Sequence, residues 1–330
     1  MYAITAVEAG GSEVLKYGQH PDPVPGAGEL LIDVAAAGVN FIDIYQREGR
    51  YAVDVPFVPG REGAGVVAEV GADVTDFEVG DRVAWASGVL GSYATKAVIP
   101  AARAVPVPGS TDLEIAAAAM VQGMTAHYLT HSTYQVRPGD TVLVHAAAGG
   151  TGLLLTQMVR MLGGRVIGTV SSLEKEQRAR QAGANEVIRY EGFAKAVRDL
   201  TNGEGVPVVY DGVGRATFDG SLASLRTRGL MVLYGGASGP VEPFDPMRLL
   251  EGGGLFLTRP TLIPSYLTNR QELLWRAGDV LRWVSSGKLR VHIGRRYPLA
   301  DARTAHEDLE HRRSVGKLLL IPEQSENWCL

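Results

Sequence analysis

The stretch TVLVHAAAGGTG at residues 141–152, running directly into LLLTQMVRML at 153–162, decides how this chain reads. A short run of branched aliphatic residues gives way to small residues and then to a helix-forming pattern. Strand, small-residue turn and helix together are the context a dinucleotide fingerprint G-x-G-x-x-G requires. Ala147 stands at its first position, Gly149 at the second and Gly152 at the third. Alanine serves at the first position as long as its backbone stays out of the left-handed region. Gly149 lets the main chain approach a pyrophosphate, and Gly152 lets the helix pack on the sheet. The amides around Ala148, Gly149, Gly150 and Thr151 then face an anion at a helix N-terminus.

Moving outward, the same rhythm repeats. RVIGTV precedes LEKEQRARQ, EVIRY precedes FAKAVRDL, VPVVYDGV precedes ATFDGSLASL, and GLMVLYGG follows. Strand–helix alternation of this kind predicts a doubly wound parallel sheet, a Rossmann fold, with GGGLFLTRP at 252–260 as a sixth strand. Residues 1–124 read differently: LLIDVAAAGVN, GAGVVAEVGADV, GDRVAWA, SYATKAVIP and AVPVPG are short β-like runs cut by Gly and Pro. The expected division is 1–124 for a β-rich substrate domain, 125–262 for the nucleotide domain and 263–330 for a return to the first. TDLEIAAAAMVQGMTAHYLTHSTY is taken as the crossing helix, with a Thr111-x-x-Glu114 capping box.

Composition narrows the function. The chain has 330 residues, 45% hydrophobic, with a net charge of −4, enough for two cores but without a basic face for nucleic acid. No apolar run approaches the ~20 residues of a membrane span. The start MYAITAVEAG reads as a strand rather than a secretory signal, so a cytoplasmic location is expected. The one cysteine, Cys329, is read as incidental, which leaves no internal disulfide and no thiolate zinc site.

The residue that chooses between NAD and NADP ends the second strand, about twenty residues after the turn. Ser171 and Ser172 stand there in place of a carboxylate, with Lys175 following and Arg178 a turn later. Hydroxyls and a lysine attract a 2′-phosphate that an acid would repel, so NADPH is the expected cofactor.

At this point the chain resembles the quinone oxidoreductases, zeta-crystallin relatives in the zinc-free branch of the medium-chain dehydrogenase/reductase superfamily. The resemblance rests on AAGVNFIDIYQREGRY (36–51), PGREGAGVVAEVG (59–71), VGDRVAWA (79–86), GDTVLVHAAAGGTG (139–152), VYDGVG (209–214) and GLMVLYGGASG (229–239). It implies an α/β protein: a partly open, GroES-like β-barrel substrate domain joined to the Rossmann domain, with the active site in the cleft between them. It also implies a homodimer through the strand near 254–260. Asn40, Asp43, Tyr45 and Tyr51 are implied to line the catalytic site, with Asn40 as a donor to substrate or cofactor and Tyr51 as proton donor or aromatic wall. Ser171, Lys175 and Tyr190 match adenosine-phosphate contacts. Tyr234 and Gly235 match the nicotinamide side, and Gln122, Thr125 and Lys317 match further cofactor-side positions.

The zinc alcohol dehydrogenases of the superfamily carry a Cys ligand where this chain has Asn40 and a His where it has Arg61, and no four-Cys lobe follows. A catalytic zinc needs three protein ligands and an open position, so a metal-free site is expected. His127 and His131 have i, i+4 spacing, but no third ligand accompanies them. The expected activity is NADPH-dependent reduction of a quinone. The alternatives are an enoyl or alkenal reductase and, from another class, an RNA-binding or crystallin-like role, which the acidic balance counts against.

Overall fold

The computed structural model describes residues 1–86 and 88–323; Cys329 lies outside them. The chain forms two compact units, one of Met1–Val121 with the segment from Leu267 onward, the other Gln122–Tyr266.

In the unit Gln122–Tyr266, six parallel strands lie in the order Glu186–Ile188, Arg165–Thr169, Thr141–Val144, Val206–Asp211, Leu225–Leu233, Phe256–Thr258. Numbered along the chain that order is 3-2-1-4-5-6, the doubly wound arrangement, whose strand order reverses between Thr141–Val144 and Val206–Asp211. Leu143 sits opposite Ile167 on one side and Val209 on the other. Val142, Leu143 and Val144 have no exposed surface, because helices cover both faces; this is why the run is apolar throughout rather than alternating. The helices Gly150–Met161, Leu173–Gln181, Phe193–Leu200 and Phe218–Ser224 fall where the pattern predicts them. Phe193, Phe218 and Leu222 pack with Leu143, Ile167 and Met231 into one core.

The other unit carries a seven-stranded sheet ordered Ile293–Pro298, Lys317–Ile321, Glu29–Val39, Glu62–Val70, Arg82–Ala86, Ala104–Pro106, with Lys96–Pro100 also on Glu29–Val39. The eleven-residue strand Glu29–Val39 serves three neighbours, and register shifts against Glu62–Val70 at Leu31/Ile32 and Val34/Ala36 bend it. Leu30, Ile32, Val34, Val67, Trp85 and Ile99 pack into one buried core. The late strand pairs antiparallel with the end of the early one, Leu318 opposite Val39 and Leu320 opposite Ala37. That pairing sets Lys317 beside the helix Phe41–Arg47 that follows Val39.

The crossing helix is Leu113–Tyr128, and its cap differs from expectation. Asp112 Oδ1 accepts from the Glu114 and Ile115 amides at 2.8 and 3.3 Å, so Asp112 is the cap. Thr111 Oγ1 is buried without a partner among the described residues, and Glu114 pairs with Arg296 at 2.5 Å. A shorter acid one residue closer to the helix reaches its amides first. His127, in the last turn of this helix, and His131, just past its end, stack face to face at 4.3 Å, with His131 Nδ1 within 2.8 Å of Thr130 Oγ1. Among the described residues no helix is long and apolar enough to cross a membrane.

Candidate active site

The nucleotide turn is built by main-chain geometry. Ala146, not Ala147, takes the left-handed conformation, with φ of 50°. Its carbonyl accepts from Gly149 N at 2.8 Å, while Ala147 N donates to Thr169 O at 3.1 Å. Gly149 caps the helix without any side-chain hydrogen bond, so the first amides of Gly150–Met161 have no acceptor within the helix and remain available to an anion. A Cβ on Gly152 would stand 2.3 Å from Ala146 O, and one on Gly150 would stand 2.2 Å from Gln122 Oε1. Gln122 is therefore packed on the turn; Thr125 is buried one turn along the same helix.

Tyr190 comes to the turn as well, its phenol oxygen accepting from Ala146 N at 3.1 Å. Ser172 caps the helix Leu173–Gln181 through Lys175 N at 3.3 Å, which leaves Ser171 exposed and Lys175 in the first turn. Arg189, which the sequence reading passed over, donates to Ser172 O at 3.1 Å and pairs with Glu176 at 2.9 Å. Tyr234 and Gly235 are tied to the strand Val206–Asp211 by their backbone N–H groups, which donate to Asp211 O at 2.9 and 3.3 Å.

Under this turn lies a wholly buried network. Asp211 Oδ1 accepts from the Val213 and Gly214 amides, and Oδ2 accepts from Thr217 Oγ1 and Ser221 Oγ at 2.7 and 2.8 Å. Because Ser221 spends its proton on Asp211, it accepts from His145 Nε2 at 2.9 Å. His145 Nδ1 then accepts from Thr169 Oγ1 at 2.9 Å. Burial pushes His145 down to about 4, and the Asp211 carboxylate only partly counters it. The histidine is neutral, so its 4.0 Å approach to Asp211 is not an ion pair.

The substrate-domain cluster gathers most of the predicted catalytic residues. Asp43 Oδ2 accepts from Asn40 N at 2.9 Å, fixing the start of the helix Phe41–Arg47. Asn40 Nδ2 donates to Gly38 O at 3.2 Å and to Glu62 Oε2 at 2.8 Å, which commits both amide hydrogens. Lys317 Nζ donates to Asn40 Oδ1 at 2.9 Å and forms a tight ion pair with Glu62. Glu62 Oε1 also accepts from Val121 N at 2.6 Å. Asn40 is thus held as a bridge and could donate to a ligand only by giving up one of these bonds. Burial pushes Asp43 up to about 7, against the pull of the Asn40 amide, Lys317 and Tyr93, and with a push from Glu62. Tyr45 lies between Phe41 and Tyr51, with ring centroids 6.1 and 5.9 Å away, and Arg50 sits 5.2 Å over its ring. Tyr51 is half exposed.

Glu62, Tyr93, Arg47 and His306 complete this cluster, and sequence reasoning did not single them out. The one local signal was Asn40-x-x-Asp43, a helix-start spacing; the rest are brought in by long-range pairing.

Residues 26–109 match the alcohol dehydrogenase GroES-like domain family, and residues 182–320 match the zinc-binding dehydrogenase family. A quinone oxidoreductase of Pseudomonas aeruginosa is 45% identical over 95% of this chain and 97% of its own. A 2-haloacrylate reductase of a Burkholderia species is 42% identical, over 91% and 92%. Among solved structures, a mycobacterial protein complexed with NADPH superposes with a TM-score of 0.95 at 49% identity, covering 98% of this chain and all of its own. The glycine cradle at 149–152, whose shape a Cβ would fill, fits such a dinucleotide. The donor set at Asn40 and Arg61 does not fit the zinc of the second family's description. One candidate position offers an amide already committed and the other a guanidinium, with the Lys317 ammonium against Asn40 and Glu62.

Proposed function

The chain belongs to the quinone oxidoreductase family of the medium-chain dehydrogenase/reductase superfamily, and we propose that it reduces quinones with NADPH at a site that uses no metal. The observation that carries the metal-free part is the buried ammonium of Lys317, fixed on Asn40 and Glu62. A positive charge built into the fold occupies the place where cation ligands would have to converge. An ordinary ketone needs a strong electrophile to stabilise its alkoxide. A quinone needs less, because its product is an aromatic, weakly basic hydroquinone anion that hydrogen bonds and a nearby cation can support.

In this reading the amides of Gly150, Thr151 and Gly152 hold the pyrophosphate, and Ala148 and Gly149 let the main chain come close to it. Ser171, Lys175 and Tyr190 take the adenosine phosphate. Gln122, Thr125, Tyr234, Gly235, Lys317 and Asn40 serve the nicotinamide end. Bound NADPH supplies the hydride; the protein supplies orientation and charge. Tyr45 and Tyr51 give a flat ligand an aromatic wall. The short edge strand Phe256–Thr258, with Phe256 well exposed, suits a homodimer contact, and we place the protein in the cytoplasm.

A second reading, reduction of a conjugated C=C bond, is favoured by the exposed phenol of Tyr51, since only that reaction needs a proton delivered to carbon. The deciding experiment follows oxidation of NADPH and NADH with quinones, enals and enoyl thioesters side by side, with and without a chelator. We expect quinones to turn over fastest and chelation to have no effect. NADPH should be preferred by a margin that Lys175→Ala narrows. Silence toward every quinone, alongside rapid enoyl thioester reduction, would move the assignment to the second reading.

A further inference from the structure

The substrate-domain cluster contains a chain of buried groups whose hydrogens can be placed without ambiguity. Arg47, 1% exposed, lies with Nη1 3.2 Å from His306 Nδ1. A guanidinium can only donate, so Nδ1 accepts and the ring proton is on Nε2. His306 Nε2 is 3.1 Å from the Tyr93 hydroxyl, which therefore accepts there and must give its own proton to Asp43 Oδ2, 3.0 Å away. His306, Tyr93 and Asp43 have no exposed surface. Every donor in the chain points toward Asp43. Oδ2 also receives the Asn40 amide, whereas Oδ1 is buried without a partner among the described residues.

We propose that Tyr93 and His306 are positioning residues that lock Asp43 with Oδ2 as a permanent acceptor and Oδ1 as the one atom able to gain or lose a proton, so that the charge of Asp43 sets the electrostatics of turnover. A relay would need each group to pass a proton on and be reset. His306 cannot take one, because burial and Arg47 push it down to about 3. The chain is a brace for one carboxyl group, anchored at its far end by the Arg47–Glu310 ion pair.

The groups facing Asp43 from the surrounding elements are Lys317, Glu62, Arg61, Tyr93 and the Asn40 amide. Lys317 and Glu62 offset one another, which leaves Arg61 as the uncompensated cation. With Asp43 protonated the cluster is net positive; with Asp43 ionised it is neutral. A hydride added to a quinone leaves an anion, which the positive state favours. Activity should therefore fall as pH rises through the ionisation of Asp43, which burial places in the neutral range.

This inference rests on the proposed quinone reduction, so its test has one arm that does not involve turnover. The Asp43 carboxyl is titrated directly, by carbon-13 chemical shift or difference infrared, in the full chain and in Tyr93→Phe, His306→Asn and Asp43→Asn. In parallel, kcat/KM for a quinone with NADPH is followed from pH 5.5 to 9. Tyr93→Phe removes a donor to the charged form and should raise the midpoint by about one pH unit in both arms. His306→Asn keeps an acceptor for Arg47 but cannot reach Tyr93. It should shift the midpoint the same way by less, and it carries the test if Tyr93→Phe fails to fold. Asp43→Asn should flatten the activity profile. A titration unmoved in both variants, or an activity midpoint that does not follow the carboxyl, would overturn the proposal. A midpoint that moves in the direct titration while no quinone is turned over would instead sink the quinone assignment and leave the brace standing.

Discussion

His145 and His306 lie in different units, yet burial treats them alike: both are held neutral, near 4 and near 3, against 6.5 in an unfolded chain. A histidine whose folded value is depressed contributes its full stability above about 6.5, and that contribution is lost as pH falls toward the folded value. Asp43 has the opposite sign. Its folded value, raised to about 7 from 3.8, stabilises the fold at low pH and loses that advantage as pH rises between the two. In the substrate unit, then, the His306 and Asp43 slopes offset each other between about pH 4 and 6.5. In the nucleotide unit the loss on acidification comes from His145. We expect acid to open the nucleotide unit first, as the contribution of neutral His145 is lost below about pH 6.5. Hydrogen exchange at pH 4.5 and 7 checks this: protection should drop first in Val142–Val144, and a first drop in Leu30–Val34 would contradict it.

The turn at 146–152 carries the clearest element-scale prediction. Gly152 lets the helix Gly150–Met161 sit within contact of the preceding turn, so Gly152→Ala forces its Cβ against Ala146 O and Ala147 Cα, both backbone. Backbone cannot step aside as a flexible side chain can. The variant should lose about 1–3 kcal/mol in denaturant unfolding of the nucleotide unit, together with a large loss of NADPH affinity by calorimetry. Elements of this unit were legible in the sequence because its central strands Thr141–Val144 and Val206–Asp211 are buried apolar runs and strands alternate with helices along the chain. The helix Phe41–Arg47 was not. Its apolar residues Phe41, Ile42 and Ile44 and its aromatic Tyr45 follow a strand without a break, and its start is set by one bond from the Asn40 amide to Asp43. Thr111 has the spacing to Glu114 that a capping box needs, but spacing does not say which of two adjacent polar residues reaches the amides. The partners of Asp43 were hidden for a plainer reason. Tyr93 is 50 residues away and His306 a further 213, and only the folded sheet makes them neighbours.

At the scale of the whole molecule, one unit is continuous in sequence and the other is interrupted by it. The continuous unit, Gln122–Tyr266, has every strand of its sheet within that span. The interrupted unit cannot complete its sheet until Ile293–Pro298 and Lys317–Ile321 are available. Glu62 and Lys317, its buried ion pair, are 255 residues apart. Chain synthesis runs at ~5–20 residues per second, and domains fold as units while it proceeds. Glu62 therefore leaves the ribosome well over ten seconds before the ammonium that neutralises it, and the strand Glu29–Val39 waits as long for its last neighbour. The order of birth and the order of folding are thus reversed: the second unit made should be the first one finished. Nascent chains stalled at increasing lengths and probed by brief proteolysis should protect the nucleotide unit before the earlier-made β-rich unit. Until Lys317 arrives, the early unit has an open sheet edge and an unpaired acid at its centre, so a cell that slows translation late in this message prolongs the interval in which a chaperone has something to hold.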